Sequence, residues 1–370
     1  MKLKYVLKRI GYAFIILFVV LTLNFLLPRL IFDDPAEPFL RGIPYDDYVL
    51  RDEVRRQFGF DGSVFYQYIR YLWRMIRFDF GYSHQYMQPV ASVMFQRIPW
   101  SMVLSLTAMV ISITLGIIIG AKAAKKRGGN IEKGLLHAAT VNTAIPTFWI
   151  ALIFVMVFGV TFGILPYRGA MTEGFVLTFR VLAFWLTFGG GILASIALFI
   201  WKKRRIFLIV GPLLALLLGI IAGVPIADLM DIITHAFMPV LVISMSAIIG
   251  YAMLVRNSML VVVNEDYIAT AKAKGLTERQ VLYRHTMRNA LLPMVTSIGM
   301  GIAGIFSGSV LIERIFSWPG MGSLLIDAQS AGDFPLAQGI MFFFSFITIV
   351  ANLVTDLIYH KLDPRVKLGR

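Results

Sequence analysis

"EDYIATAKAKGLTERQVLYRHTMRNALLP", Glu265–Pro293, gathers eight Lys, Arg, Asp and Glu around one glycine. One apolar run ends before it at Val255, and another begins within it at Ala290 and continues to Ile312. A helix that crosses a bilayer needs about 20 apolar residues, and both runs are of that order. The charged stretch therefore reads as a water-facing turn between two membrane segments. Gly275 takes a left-handed backbone without a Cβ clash and so ends a helix well. Thr277 offers an N-cap hydroxyl, with Gln280 three residues on, as a capping box requires. The pattern predicts helix, glycine turn, helix, with small Ala269, Ala271 and Ala273 interleaved with Lys272 and Lys274. Small side chains near the tip let another surface approach closely. On periodicity alone, the same stretch also fits an interfacial loop whose lysines only set orientation.

The whole chain resembles these flanks. Hydrophobic residues make up 58% of its 370 and charged residues 15%. A soluble core of this size does not need so much apolar surface, whereas several bilayer spans do. Apolar segments fall near Ile10–Leu30, Trp100–Ala121, His137–Phe162, Phe175–Trp201, Ile206–Val224, Ala236–Val255, Ala290–Ile312 and Ala337–Tyr359. The expected fold class is all-α and polytopic. The first segment follows Lys8-Arg9 and lacks a small-residue cleavage site, so it is expected to be a retained helix.

The net charge of +14 sets orientation. With the N-terminus inside, the inner segments are 1–9, 121–137, 201–205, 256–288 and 358–370. These hold 23 of the 35 Lys and Arg but only five of the 21 Asp and Glu. That asymmetry is the positive-inside rule and points to no nucleic acid or other acidic ligand. Both termini are expected in the cytoplasm. "WKKRR" (Trp201–Arg205) demands an inner turn, which makes Phe175–Val224 a helical hairpin entering and leaving from outside.

Several local features carry weaker signals. In "VFYQYIRYLWRMIRFDFG", Gln67, Arg70, Arg74 and Arg77 recur at spacings of three and four, with Phe65, Ile69, Leu72 and Ile76 on the other side. This predicts an amphipathic helix with Tyr and Trp at headgroup level. Pro146 in "NTAIPTFW" should kink the third segment. Asn24, Asn142, Arg180, Asn352 and Asp356 are polar groups in or near apolar segments, and Asp356 and Arg180 lie close enough to the ends to snorkel. Gly301, Gly304 and Gly308 share one face of the seventh segment. That face suits close helix contact, either within the chain or with a neighbouring membrane chain.

Catalytic signatures are absent. With no cysteine there is no disulfide, thiolate nucleophile or cysteine-ligated metal. His84, His137, His235, His285 and His360 show no HExxH spacing, and no GxxxxGK[ST] sequence offers a phosphate-cradling loop.

The charged turn resembles the EAA-type signature of permeases of binding-protein-dependent ABC importers. More narrowly, it resembles the first permease of the dipeptide/oligopeptide/nickel branch. Asp266, Tyr267, Ile268, Thr270, Ala271, Ala273, Lys274, Gly275, Leu276, Val281, Arg284, His285, Arg288, Asn289, Ala290 and Pro293 match that pattern. So do "RRQFGFD" (55–61), "FDFGYS" (78–83), "IPTFW" (145–149), "GILP" (163–166), "GSVLIERIFSWPGMGSLLIDA" (308–328), "DFPLAQG" (333–339) and "LDPR" (362–365), all in order. The departure is the Phe175–Val224 hairpin, since the family usually has six spans in this subunit.

The resemblance implies the type I ABC importer transmembrane fold, with six core helices plus an inserted two-helix hairpin. It divides the chain into a first helix (1–30), an extracytoplasmic region (31–99), a transmembrane domain (100–360) and a cytoplasmic tail (361–370). Within the domain lie the insertion (171–233) and a cytoplasmic coupling segment (265–293). It implies a non-enzymatic, pore-forming subunit in a prokaryotic cell membrane, with no cofactor of its own. Its partners would be a second homologous permease, an extracytoplasmic substrate-binding protein, and two cytoplasmic ATPases that hold ATP and magnesium. Glu265, Asp266, Tyr267, Ala269, Ala271, Lys272, Ala273, Lys274 and Gly275 would then form the ATPase-coupling helix. Gly301, Gly304 and Gly308 would be the candidates for permease–permease packing. Peptide is the default substrate, with oligosaccharide or nickel chelate as the alternative. An ion-driven secondary transporter would instead call for an inverted repeat and midplane carboxylates, and neither is present in the sequence.

Overall fold

In the computed structural model, the structure describes residues 3–31, 34, 36–40, 43–172, 226–307 and 309–362. The expected hairpin at Phe175–Val224, Arg180, Gly308 and most of the tail lie outside the described residues. The described residues are helical nearly throughout. Helix α1 covers Leu3–Ile31, and short α2 (Glu37–Leu40), α3 (Tyr48–Phe58) and α4 (Val64–Ile76) follow it. A two-stranded hairpin, β1 (Tyr82–Ser83) and β2 (Gln88–Pro89), leads into the long α5 (Val90–Lys125). Then come α6 (Asn130–Ala144), α7 (Thr147–Phe154, continued by a wider-wound turn to Thr161) and α8 (Ile226–Val262). The charged stretch forms α9 (Asp266–Ala273), a single turn α10 (Glu278–Gln280), a π-type turn and α11 (Met287–Ala290). Helices α12 (Leu292–Ser307), α13 (Val310–Ile315), α14 (Met321–Ala331) and α15 (Phe334–Leu362) complete the chain.

Among the described residues, four helices are long and apolar enough to cross a membrane: α1, α5, α8 and α15. The bent pair α6–α7 makes up to five. The break at Pro146 is sharper than the kink the sequence suggests. The two helices meet at 93°, and Ile145 between them is extended at φ −108°, ψ 117°. Proline has no N–H to give and crowds the residue before it out of the helical region, so α6 stops at Ala144. The seventh segment also differs: α12 has 16 residues, about 24 Å of rise, which is short for a full span.

Helices α5 and α8 form the centre and run side by side in the same direction. Gly116 and Gly120, one turn apart on α5, let them touch. A Cβ at Gly116 would lie 2.5 Å from Tyr251 Cβ, and one at Gly120 2.5 Å from the Ala252 carbonyl oxygen. Close backbone approach between such small residues gives the dispersion contact that lipid cannot. Helix α12 crosses α15 in the same manner, since a Cβ at Gly299 would clash with the Thr355 side chain. Helix α1 lies at the periphery and runs antiparallel to α15. Arg9 pairs with Asp356 at 3.0 Å at one end, and Asn24 and Gln338 exchange hydrogen bonds through their backbone carbonyls nearer the other. Asp356, the last residue of the α15 span, thus closes an interhelical ion pair at the span's end. Phe14, Ile15 and Leu23 of α1 face outward and are exposed, as a lipid-facing helix requires.

The end of the molecule farthest from α9 is closed by α2–α4, the hairpin and α13–α14. Asp333 caps α15 through Leu336 N at 3.2 Å and also accepts from Ser83 Oγ and Gln85 N. The hairpin is thereby fixed to the start of α15. Trp318 stacks edge-on against Trp100 at 5.6 Å and donates its indole N–H to the Trp100 carbonyl at 2.9 Å.

Candidate coupling surface

The charged stretch folds as its local signals predict. Helix α9 ends at Gly275, whose φ is +76° and whose N–H donates to the Lys272 carbonyl at 2.9 Å. Nothing lies within 4 Å of where a Cβ would sit, so glycine is needed here for its backbone and not for space. Thr277 and Gln280 form the capping box. The Thr277 N–H donates to Gln280 Oε1 at 3.0 Å and the Gln280 N–H to Thr277 Oγ1 at 3.4 Å.

The knuckle has a small core of its own. Ile268, Ala271 and Val281 are buried together, with Val263, Tyr267 and Leu276 packed around them. The Asn289 amide donates to the Tyr267 hydroxyl at 2.7 Å, joining α9 to α11. Of the nine residues assigned to coupling, Glu265, Asp266, Ala269, Lys272, Ala273, Lys274 and Gly275 are exposed. Ala271 is buried and Tyr267 half-buried, so these two build the knuckle and the other seven form its outward face. Ala269 and Ala273 are four apart and share that face with Lys272 and Asp266. The outcome is a smooth, small-residue ridge rimmed by charges of both signs. Arg284 and Arg288, beyond the turn, are exposed as well.

The knuckle sits on the ends of two long elements. It continues from α8 through Val263 and returns through α11 into α12. Nearby, the buried Glu132 carboxylate at the start of α6 accepts from Arg256 of α8, with Nε at 2.9 Å, and from the Gly128 N–H. This pair ties the same end of α8 to α6. A push on α9 therefore reaches α8, α12 and α6 through packed or bonded contacts.

A family model described as "binding-protein-dependent transport system inner membrane component" matches residues 206–368, and the N-terminal model of the same membrane component matches residues 2–107. The di/tripeptide transport system permease protein of Pseudomonas aeruginosa is 30% identical over 368 residues, covering 100% of both chains. The chain belongs to this permease family. A putative peptide transport system permease protein of Brucella abortus is 32% identical over 363 residues, 98% of each chain. The oligopeptide transport system permease protein of Bacillus subtilis is 28% identical over 364 residues, 98% of this chain and 99% of that one. The chain is thus a multi-pass inner-membrane subunit of an ABC importer and works with other subunits.

The permease–permease glycines separate in the structure. Gly301 faces inward, 3.4 Å from the Tyr251 hydroxyl and 3.6 Å from Met109 when a Cβ is added. Gly304 meets nothing within 4 Å. Glu313, which falls in the family-matching block 308–328 with no chemistry assigned to it, is fully buried on α13. Its carboxylate accepts from Ser101 Oγ at 2.7 Å, Gly322 N at 2.8 Å and Ser323 N at 3.0 Å. It therefore caps α14 from outside that helix and ties α13, α14 and α5 together. Burial pushes its pKa up to about 7, against the opposing pull of those three donors. Only the contact partners, distant in sequence, reveal this role.

Proposed function

We propose that this permease subunit forms part of the pore of an ATP-driven importer of di- or oligopeptides. An extracytoplasmic binding protein delivers the peptide, and two separate ATPase subunits supply the energy. The α9 ridge seats in a groove on one ATPase, with Glu265, Asp266, Lys272 and Lys274 giving charge complementarity and Gly275 fixing the turn. Closure of the ATPases on ATP then moves α8 and α12 as rigid bodies and alternates access between the two faces. The observation that carries this reading is the exposed Ala269–Ala273 ridge on a knuckle with its own buried base. Such a base holds the ridge's shape when force is applied. The peptide assignment is supported by the peptide permeases named above, which the chain matches over nearly its whole length.

The test is uptake in proteoliposomes holding the complete transporter and its binding protein. Labelled dipeptide should accumulate only with ATP. Accumulation of an oligosaccharide or a nickel chelate in place of peptide would overturn the substrate. Accumulation driven by an ion gradient without ATP would overturn the mechanism.

A further inference from the structure

A cavity of about 340 Å³ lies between α1, α3–α4, the hairpin and the start of α15. It opens at the end of the molecule opposite α9, and it is cationic. Arg29, Arg70 and Arg74 line it against a single lining carboxylate, Asp79. Arg74 is matched by Asp79 at 2.9 Å and Arg70 by Asp61 at 2.6 Å. Arg29 has no carboxylate partner among the described residues. It donates to the Phe25 carbonyl at 2.9 Å and to Gln67 Oε1 at 2.5 Å, and it lies over the Phe25 ring at 3.5 Å. These contacts aim and desolvate the guanidinium without neutralising it. A half-buried cation so held is costly unless an anion completes it.

The cavity is also shaped for its cations. Gly59 and Gly81, both at positive φ, lie against the other two guanidinium groups. A Cβ would stand 2.5 Å from Arg70 Nη2 at the first and 2.8 Å from Arg74 Nη2 at the second. Arginine presents a planar fork of donors that suits phosphate oxygens.

The depth and surroundings indicate which anion. Arg29 stands one residue before the end of the apolar span Leu7–Leu30, which is the headgroup level. Helix α4 turns its polar stripe, Gln67, Arg70 and Arg74, into the cavity and leaves Phe65, Ile69, Trp73 and Ile76 exposed on its outer side. Leu30 beside Arg29 is 79% exposed. An apolar face turned outward at headgroup level is at home only against lipid. Helix α1 is peripheral to the α5–α8 centre, which places the cavity away from any path between those helices.

We propose that this cavity binds the phosphate of a phospholipid headgroup, with Arg29 as the charge it completes and the acyl chains lying along Leu30 and the outer face of α4. The full chain, purified in uncharged detergent, is titrated with dioleoyl phosphatidylglycerol and followed by native mass spectrometry. One lipid should be retained, and dioleoylglycerol, which lacks the phosphate, should bind at least about tenfold more weakly. Arg29→Gln should weaken phosphatidylglycerol retention about tenfold, with Arg29→Lys between the two. Melting temperatures of the lipid-free variants separate loss of the site from loss of the fold. An Arg29→Gln chain that melts like the wild type and still retains phosphatidylglycerol equally overturns the proposal, as does equal retention of dioleoylglycerol. If inorganic phosphate raises the melting temperature as much as phosphatidylglycerol does, the site takes a free oxyanion and the lipid source is overturned. Undiminished lipid affinity with lost peptide uptake in Arg29→Gln would assign the cavity to the arriving solute, again against the lipid.

Discussion

The Tyr267 hydroxyl and the Asn289 amide meet at 2.7 Å across 22 residues of chain, and their bond closes the knuckle. Tyr267 sits on the helix that leaves α8, and Asn289 on the turn that enters α12, so the bond couples the two arms through which force would travel. Tyr267→Phe keeps the ring packed on Ile268 and removes only the hydroxyl. The loss should be about 1 kcal/mol or less, because the pair is exposed and water can compete. Peptide uptake should fall several-fold while the amount of protein in the membrane stays the same. A double-mutant cycle with Asn289→Ala checks it: the second substitution should add little to the first.

Gly275 separates backbone from space. Its φ of +76° costs a β-branched residue at least about 1–2 kcal/mol, yet no atom stands in the way of a Cβ. Gly275→Val should leave insertion intact and uncouple ATP hydrolysis from uptake. Gly275→Asn should retain most coupling, because asparagine tolerates the left-handed region. The ratio of peptide imported to ATP hydrolysed, measured for both variants, distinguishes a conformational need from a steric one.

Glu313 predicts a pH dependence. Its folded-state pKa is raised to about 7 from 4.5, so the folded protein holds this proton more tightly than the unfolded chain. The resulting stability is fully present below about pH 4.5 and is lost as pH rises through 7. Glu313→Gln can accept from Gly322 N and Ser323 N with its carbonyl while its amide faces a reoriented Ser101 hydroxyl. It should flatten the fall in melting temperature between pH 5 and pH 8. Glu313→Ala leaves those buried donors without an acceptor and should lower stability by about 2 kcal/mol or more at any pH.

Glu132 and Arg256 form a buried tie between α6 and α8 at the end of the molecule that carries α9. Glu132→Gln should loosen α6 from α8 and expose the 126–133 turn to protease, with little effect on the helix packing at the far end. The exchange Glu132→Arg with Arg256→Glu should restore part of the protection. Limited elastase digestion of the membranes reads both, since Gly128 and Gly129 lie in that turn and the exchange adds no site for that protease.

What could be read from the sequence was local. Gly275 and the Thr277–Gln280 box act within four residues, so the helix–turn–helix of the knuckle was visible in their order alone. The positions of α1, α5, α8 and α15 followed from apolar length, and α4 from its spacing. The reading weakened wherever a long-range partner decides. Ala269, Ala271 and Ala273 look alike in sequence, yet packing on Val281 turns Ala271 inward. The polar stripe of α4 would face water by itself, but Asp61, Asp79 and Arg29 draw it into the protein. Gly301 was grouped with Gly304 by spacing, and only Tyr251 and Met109 separate them. Glu313 matches a family block, but its capping role is not legible in sequence because each of its donors comes from another element. Pro146 predicts a kink, while the 93° bend depends on the extended Ile145 before it.

The most direct test uses the fact that the chain has no cysteine, so each introduced thiol is unique. Ala269→Cys, Ala273→Cys and the buried control Ala271→Cys are placed in the complete transporter. Each is treated with a short thiol-to-amine cross-linker, with and without ATP. The exposed positions should join to an ATPase subunit and the buried one should not. Absence of any ATPase cross-link from Ala269→Cys and Ala273→Cys, in a transporter that still imports peptide, would contradict the docking of α9.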